Sequence, residues 1–123
     1  MHYADATLRL PSFALMEKRK AIAFISLNQH FPESSEVHCM AVHREHREHR
    51  GKDFGRALLE HAEHWLRSGN TRFLQVKTVS ASRDDAAYEQ TRGFYARMGF
   101  VPLQEFPELW DPHNPCIQMI KVL

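Results

Sequence analysis

The segment that most constrains the fold runs from Glu36 to Arg67, because the hydrophobic period changes inside it. Glu36 to His43 (EVHCMAVH) alternates at period two, with Val37, Cys39 and Ala41 on one face and His38, Met40 and Val42 on the other. That is a strand. From Asp53 to Arg67 the apolar residues Phe54, Ala57, Leu58, Ala62, Trp65 and Leu66 recur at helical spacing, with Asp53 as N-cap and Ser68-Gly69-Asn70 as the stop. Between them lies a duplicated Arg-Glu-His from Arg44 to His49, then Arg50, Gly51 and Lys52, with Gly55 just inside the helix. A strand that feeds a helix through a glycine turn aims backbone N–H groups and the positive end of the helix dipole at the strand's end. An anion, and a phosphate in particular, is the ligand this favours.

The flanking segments extend the pattern. Ser12 to Glu17 and Lys20 to Asn28 read as a hairpin around Lys18-Arg19-Lys20, and Phe31 to Ser35 reads as a loop. After the helix, Arg72 to Val79 alternates as a strand, with Leu74, Val76 and Thr78 on one face. The polar stretch Ser80 to Asp85 is a loop. Asp84 or Asp85 then caps a second helix that runs through Ala87, Tyr88, Thr91, Phe94, Tyr95 and Met98 and stops at Gly99. Phe100 to Phe106 and Cys116 to Val122 are two more strands, joined by the proline-bearing Pro107 to Pro115. Strands alternating with helices, flanked by hairpins, define an α/β chain of the α+β kind with a mixed sheet.

Composition limits the function. The chain has 123 residues, room for one domain with one core, so residues 1–123 are expected to form a single domain. Sixteen Lys and Arg against fifteen Asp and Glu give a net charge of +1, without the electrostatic footprint of a nucleic-acid binder. No apolar run is long enough to span a bilayer and no signal peptide is visible, so neither nucleic acid nor membrane is an expected partner, and a cytoplasmic location is. Cys39 and Cys116 lie far apart in apolar surroundings, the pattern of reduced, packed thiols.

The histidines raise the question of a metal. His43, His46 and His49 recur every third residue, with His61 and His64 downstream. Arg44, Arg47 and Arg50 alternate through the same segment and would repel a cation, and no HExxH or Cys/His pairing accompanies them, so no metal site is expected. The Walker phosphate-loop pattern is absent too.

Two motifs in order carry a family resemblance. Val42 followed by Arg50-Gly51-Lys52-Asp53-Phe54-Gly55-Arg56 and the helix, and then Phe94-Tyr95-Ala96-Arg97-Met98-Gly99-Phe100, resemble the signatures of the GNAT N-acetyltransferases. The likeness extends over about residues 12 to 123. It implies a GNAT-like mixed, mostly antiparallel sheet flanked by helices, and transfer of an acetyl group from acetyl-CoA to a primary amine of a small molecule or peptide. The same motifs would also serve a non-catalytic CoA-binding or protein-interaction domain.

By that resemblance the CoA pyrophosphate lies on the backbone from Arg50 through Gly51, Lys52, Asp53, Phe54 and Gly55 to Arg56. The pantetheine arm runs along Met40, Ala41 and Val42. Tyr95 protonates the departing thiolate. Glu36, which begins the central strand, and His38 two residues on are the candidate bases. The chain departs from the family in three ways. Asp53 replaces the first motif glycine, so its carboxylate must turn away from the phosphates as a helix cap. Tyr88 replaces the asparagine that often begins the last helix. The first strand and the two helices that usually wall the acceptor pocket are expected to be missing, a truncation that exposes a sheet edge and predicts a homodimer. Deleting one Arg-Glu-His restores the usual spacing, so the duplication reads as a three-residue insertion looped out before Gly51. Glu105, Glu108, Trp110 and Asp111 are candidates to meet a cationic amine.

Overall fold

The structure, a computed structural model, describes residues 2–5, 10–43 and 53–123. Its contacts gather into two compact units, Met1–Arg72 with Leu123, and Phe73–Val122. The Arg-Glu-His duplication, the proposed insertion and Arg50, Gly51 and Lys52 lie outside the described residues.

The first unit is an antiparallel meander, β1 (His2–Asp5), β2 (Ser12–Glu17), β3 (Lys20–Phe31) and β4 (Ser34–Val42), followed by helix α1 (Phe54–Ser68). Lys18 and Arg19 turn the chain between β2 and β3, both at positive φ (48° and 66°), which matches the twist of a two-residue hairpin. Phe13, Leu15, Ile22, Ile25, Leu27 and Val37 supply the sheet's share of the core. Helix α1 lays Leu58, Leu59, Ala62 and Leu66 against β2, β3 and β4. Leu58 and Leu59 are fully buried, and each such side chain contributes about 1.5–3 kcal/mol relative to exposure. Gly69 ends the helix, donating its N–H to the Trp65 and Leu66 carbonyls, and Asn70 takes the left-handed turn (φ 66°).

The second unit comprises β5 (Phe73–Val79), α2 (Ala86–Arg97), β6 (Val101–Asp111) and β7 (Asn114–Val122). Strand β7 pairs antiparallel with both β5 and β6, and α2 packs on β5. The alternation expected for β5 holds, with Leu74, Val76 and Thr78 buried. Met98 caps α2, and Gly99 at φ 96° reverses the chain where a side chain would be strained and would meet Lys121.

Four expectations are corrected. A strand does precede β2: His2–Asp5 pairs with Phe13 to Met16, a strand of four residues recruited by backbone pairing and too short to show a period. Strand β3 runs on to Phe31, so the connection to β4 is the tight turn at Pro32-Glu33 and not a five-residue loop. Strand β6 continues through Pro107 to Asp111, and only Pro112-His113 turns into β7. It tolerates its two prolines because it pairs on one side only within this unit. Cys39 is exposed, while Cys116 is fully buried as expected. The cause is a bulge: Ser26 pairs with Cys39 and Leu27 with Val37, leaving His38 as an extra residue that breaks the alternation of β4.

Candidate active site

The anion-binding feature starts at Asp53. Its Oδ1 accepts the Arg56 N–H at 3.0 Å and its carbonyl accepts the Ala57 N–H at 3.1 Å. The carboxylate is therefore used as the helix cap, the orientation its place in the motif requires. Phe54 and Gly55 are buried, and the first turn of α1 contains no acidic residue. Arg56 is exposed and pairs with Glu60 one turn on (Nε to Oε1, 3.0 Å), a surface contact worth at most about 1 kcal/mol. The helix start thus keeps the positive end of its dipole, with an arginine beside it.

Strand β4 leads to that helix. Met40, Ala41 and Val42, all half-buried, pair with Ile25, Phe24 and Ala23 of β3. His38 is exposed at the bulge. Glu36 lies opposite Asn28, and its Oε1 meets Nε2 of His30 at 2.6 Å. His30 is itself an extra residue in β3, between the pairs Gln29 with Ser35 and Phe31 with Ser34. The end of this hairpin is pinned by Gln29, whose Nε2 donates to the Phe31 and Pro32 carbonyls and to Thr71 Oγ1. His30 was not singled out from sequence. The i, i+6 spacing means nothing until the β3–β4 turn is placed at Pro32-Glu33.

In the second unit Tyr95 is the one buried residue of α2, edge-on to Phe94 and Phe100 with ring centroids 5.2 and 5.3 Å apart. Beside α2 a groove of about 570 Å³ opens over Pro102, Ile117 and Met119, rimmed by Asp84, Glu89 and Arg92. Arg92 is anchored there by donating to the Val79 carbonyl at 2.6 Å. Arg83 holds Asn114 and Asp85 and lies over the Tyr88 ring.

The acidic residues of β6 are already engaged. The Ser80 and Ser82 hydroxyls donate to Glu105 Oε1 at 2.6 and 2.7 Å and hold its carboxyl below the usual carboxylate range. The Asn114 side-chain amide, and then the His113 and Asn114 N–H groups, do the same for Asp111. Glu108 and Trp110 are exposed.

His61 packs edge-on against Phe13 at 5.1 Å, and His43 and His64 are exposed, while His46 and His49 lie outside the described residues. Among the described residues no group of three His, Cys, Asp or Glu side chains is placed to hold a metal, and no helix is long and apolar enough to cross a membrane.

The profile of the acetyltransferase (GNAT) domain matches residues 11–102 of the chain. No curated protein sequence matches it. Among solved structures, a protein of Desulfovibrio desulfuricans assigned to the GNAT family superposes with a TM-score of 0.76 at 23% identity, over 91% of this chain and 67% of that one. A Bacillus anthracis protein assigned as a streptothricin acetyltransferase, solved with acetyl-CoA, gives 0.76 at 16% identity over 95% and 64%. The aminoglycoside 6'-N-acetyltransferase of Enterococcus faecium gives 0.71 at 18% over 91% and 72%. At these identities the superpositions establish the fold, a mixed α/β arrangement with a mostly antiparallel sheet, and the chain spans about two-thirds of the length of these neighbours. With the domain profile matching well over half of its residues, the chain belongs to the GNAT acetyltransferase family.

Proposed function

We propose that the chain is an acetyl-CoA-dependent N-acetyltransferase acting on a primary amine of a small molecule or peptide, with residues 1–123 working as one domain. The observation that carries this reading is the start of α1: a helix whose cap, Asp53, spends its carboxylate on the Arg56 N–H and whose first turn carries no acidic residue, an arrangement that favours a phosphate. The family profile runs across both units, which supports a single domain.

In this reading Arg50, Gly51, Lys52, Asp53, Phe54, Gly55 and Arg56 take the pyrophosphate, and Met40, Ala41 and Val42 take the pantetheine. The amine's lone pair attacks the thioester carbonyl carbon, the C–N bond forms, and the C–S bond breaks. Tyr95 gives its phenolic proton to the thiolate, and Glu36 or His38 removes the proton that the ammonium carries. A solved neighbour assigned as a streptothricin acetyltransferase and another that is an aminoglycoside 6'-N-acetyltransferase support an amine acceptor. The outward residues Val101, Leu103, Leu109 and Trp110 of β6 supply apolar surface that a homodimer would cover.

The test is thermal stabilisation by CoA together with thiol release from acetyl-CoA across an amine panel. CoA is expected to raise the melting temperature, and at least one amine to release thiol. Stabilisation with no turnover on any amine assigns the chain instead as a CoA-binding domain, and no stabilisation overturns both. Sedimentation as a stable monomer at high micromolar concentration overturns the dimer.

A further inference from the structure

We propose that His30 is the group that takes the proton from the acceptor amine, with Glu36 as the positioning carboxylate behind it. The inference rests on the acetyl-transfer reading and replaces its two candidate bases, Glu36 and His38, with a third residue. Strand β4 fixes a direction: from the α1 start, the proposed CoA arm passes Val42, Ala41 and Met40 and reaches the bulge at His38. Glu36 is two residues further, about 7 Å at ~3.3 Å per residue. The first ionisable pair beyond the end of that arm is Glu36 with His30.

Three observations assign the roles within the pair. The Glu36 side chain is 13% exposed and that of His30 36%, so the imidazole is the member that an incoming ammonium meets. His30 is the extra residue of its own bulge and is left out of the β3–β4 ladder, which is how a strand re-aims a side chain. The contact from Nε2 to Oε1 at 2.6 Å fixes the ring: a carboxylate accepts the Nε2 proton, and Nδ1 is left with the lone pair. His38, by contrast, is exposed at its bulge, and no ion pair to a carboxylate holds its ring among the described residues.

The step balances. The ammonium N–H bond breaks and its proton moves to Nδ1, giving an imidazolium paired with the Glu36 carboxylate. The neutral amine attacks the thioester, the nitrogen's second proton goes to solvent, and the thiolate is protonated by Tyr95. The imidazolium then returns its proton to water, and the Tyr95 phenolate takes one from water, so that one proton is released per turnover.

The pair has a plainly structural alternative, a polar clasp between two bulged strands, and the experiment separates the two. His30→Gln keeps an amide donor for Glu36 but cannot accept the proton. Turnover is compared on an alkyl primary amine, protonated at neutral pH, and on an acyl hydrazide, already neutral. The variant is expected to lose about 10²-fold in kcat on the alkyl amine and little on the hydrazide, with the melting temperature and its rise with CoA unchanged. Added imidazole restores part of the activity of His30→Ala, and Glu36→Gln shows the same selective loss in smaller degree. Equal losses on both acceptors, or a change below twofold on the alkyl amine, overturn the proposal. Failure of the wild-type chain to gain stability from CoA or to acetylate any amine overturns the underlying reading instead.

Discussion

The helices of the two units serve different purposes. Helix α1 buries Phe54, Gly55, Leu58, Leu59, Ala62, Glu63 and Leu66 and closes the core over β2, β3 and β4, whereas α2 buries Tyr95 alone. The strands differ in the same sense: β2 and β3 carry Phe13, Leu15, Ile22, Ile25 and Leu27 inward, while β6 is exposed at every position but the half-buried Phe106. The first unit closes its core with α1, and its candidate chemistry sits at the margins of that core, at the start of α1 and at the two bulges of β3 and β4. The second unit draws its buried apolar side chains, Leu74, Val76, Phe100, Cys116 and Met119, from its strands and the turn after α2, and the helix itself adds one buried aromatic, Tyr95, that is also a candidate for catalysis. Stability and chemistry are separable in the first unit and share a residue in the second.

The largest expected effect tests the first half of that contrast. Leu58→Ala removes a fully buried side chain from the α1 interface and should cost about 2–5 kcal/mol in urea unfolding. Glu89→Ala, on the exposed side of α2, should change stability by no more than about 0.5 kcal/mol. Near-equal effects would show that α2 contributes as much to the fold as α1 and would break the comparison.

Tyr95→Phe tests the second half. It keeps the ring against Phe94 and Phe100 and removes only the hydroxyl. Under the acid role, kcat should fall about 10²-fold, with CoA binding retained and the melting temperature shifted only slightly. A variant that loses stability and keeps kcat would make Tyr95 an anchor and nothing more.

What the sequence made legible follows from the same physics. Wherever one face of an element is buried, the period showed it: Leu74, Val76 and Thr78 in β5, and α1 with its stop at Gly69 and Asn70. The apolar stripe of α1 is rotated from the expected one, because Leu59 and the buried Glu63, paired with Arg67 at 3.4 Å, take the places given to Ala57 and the half-exposed Trp65. Glu63 hides in a polar letter, and Trp65 reaches the edge of the Phe13 ring from the rim. The failures fall where pairing and not burial decides. Strand β6 runs through prolines at an outer position, β1 is four residues long, and the bulges at His30 and His38 exist only through the partner strand's register. The candidate site was legible at its helix start, where cap and glycine are local signals. It was illegible at His30, whose partner is chosen by a hairpin.

The caps offer a smaller, paired test. Asp85 accepts two N–H groups, from Ala87 at 2.9 Å and Tyr88 at 3.3 Å, and Asp53 accepts one, from Arg56. Replacing either with alanine should cost about 1 kcal/mol, more for Asp85 than for Asp53. Only Asp53→Ala removes a negative charge from the proposed phosphate site, so it should leave CoA affinity unchanged or raised while stability drops. A loss of CoA affinity in Asp53→Ala, measured by titration calorimetry, would show that the carboxylate faces the ligand and not the helix.

The smallest effect concerns Glu105, where the second unit joins its β5–α2 loop to β6 through Ser80 and Ser82. The two hydroxyls bond the ionised carboxylate and lower its pKa, Ser80 more than Ser82. A carboxyl whose folded pKa lies below its unfolded value adds stability above the unfolded value. That stability is lost as the pH falls through the folded one, so the window lies in acid, below the ordinary ~4.3. Because Glu105 is exposed, water and salt screen the contribution, and the site-resolved titration is more telling than the melting curve. Followed by carboxyl NMR, Glu105 should titrate below the usual carboxylate range in the wild-type chain. It should move part of the way back in Ser82→Ala, further in Ser80→Ala, and return to the ordinary range when both are replaced. An unchanged Glu105 titration in the double variant would mean that the β5–α2 loop is not tied to β6 through these hydroxyls.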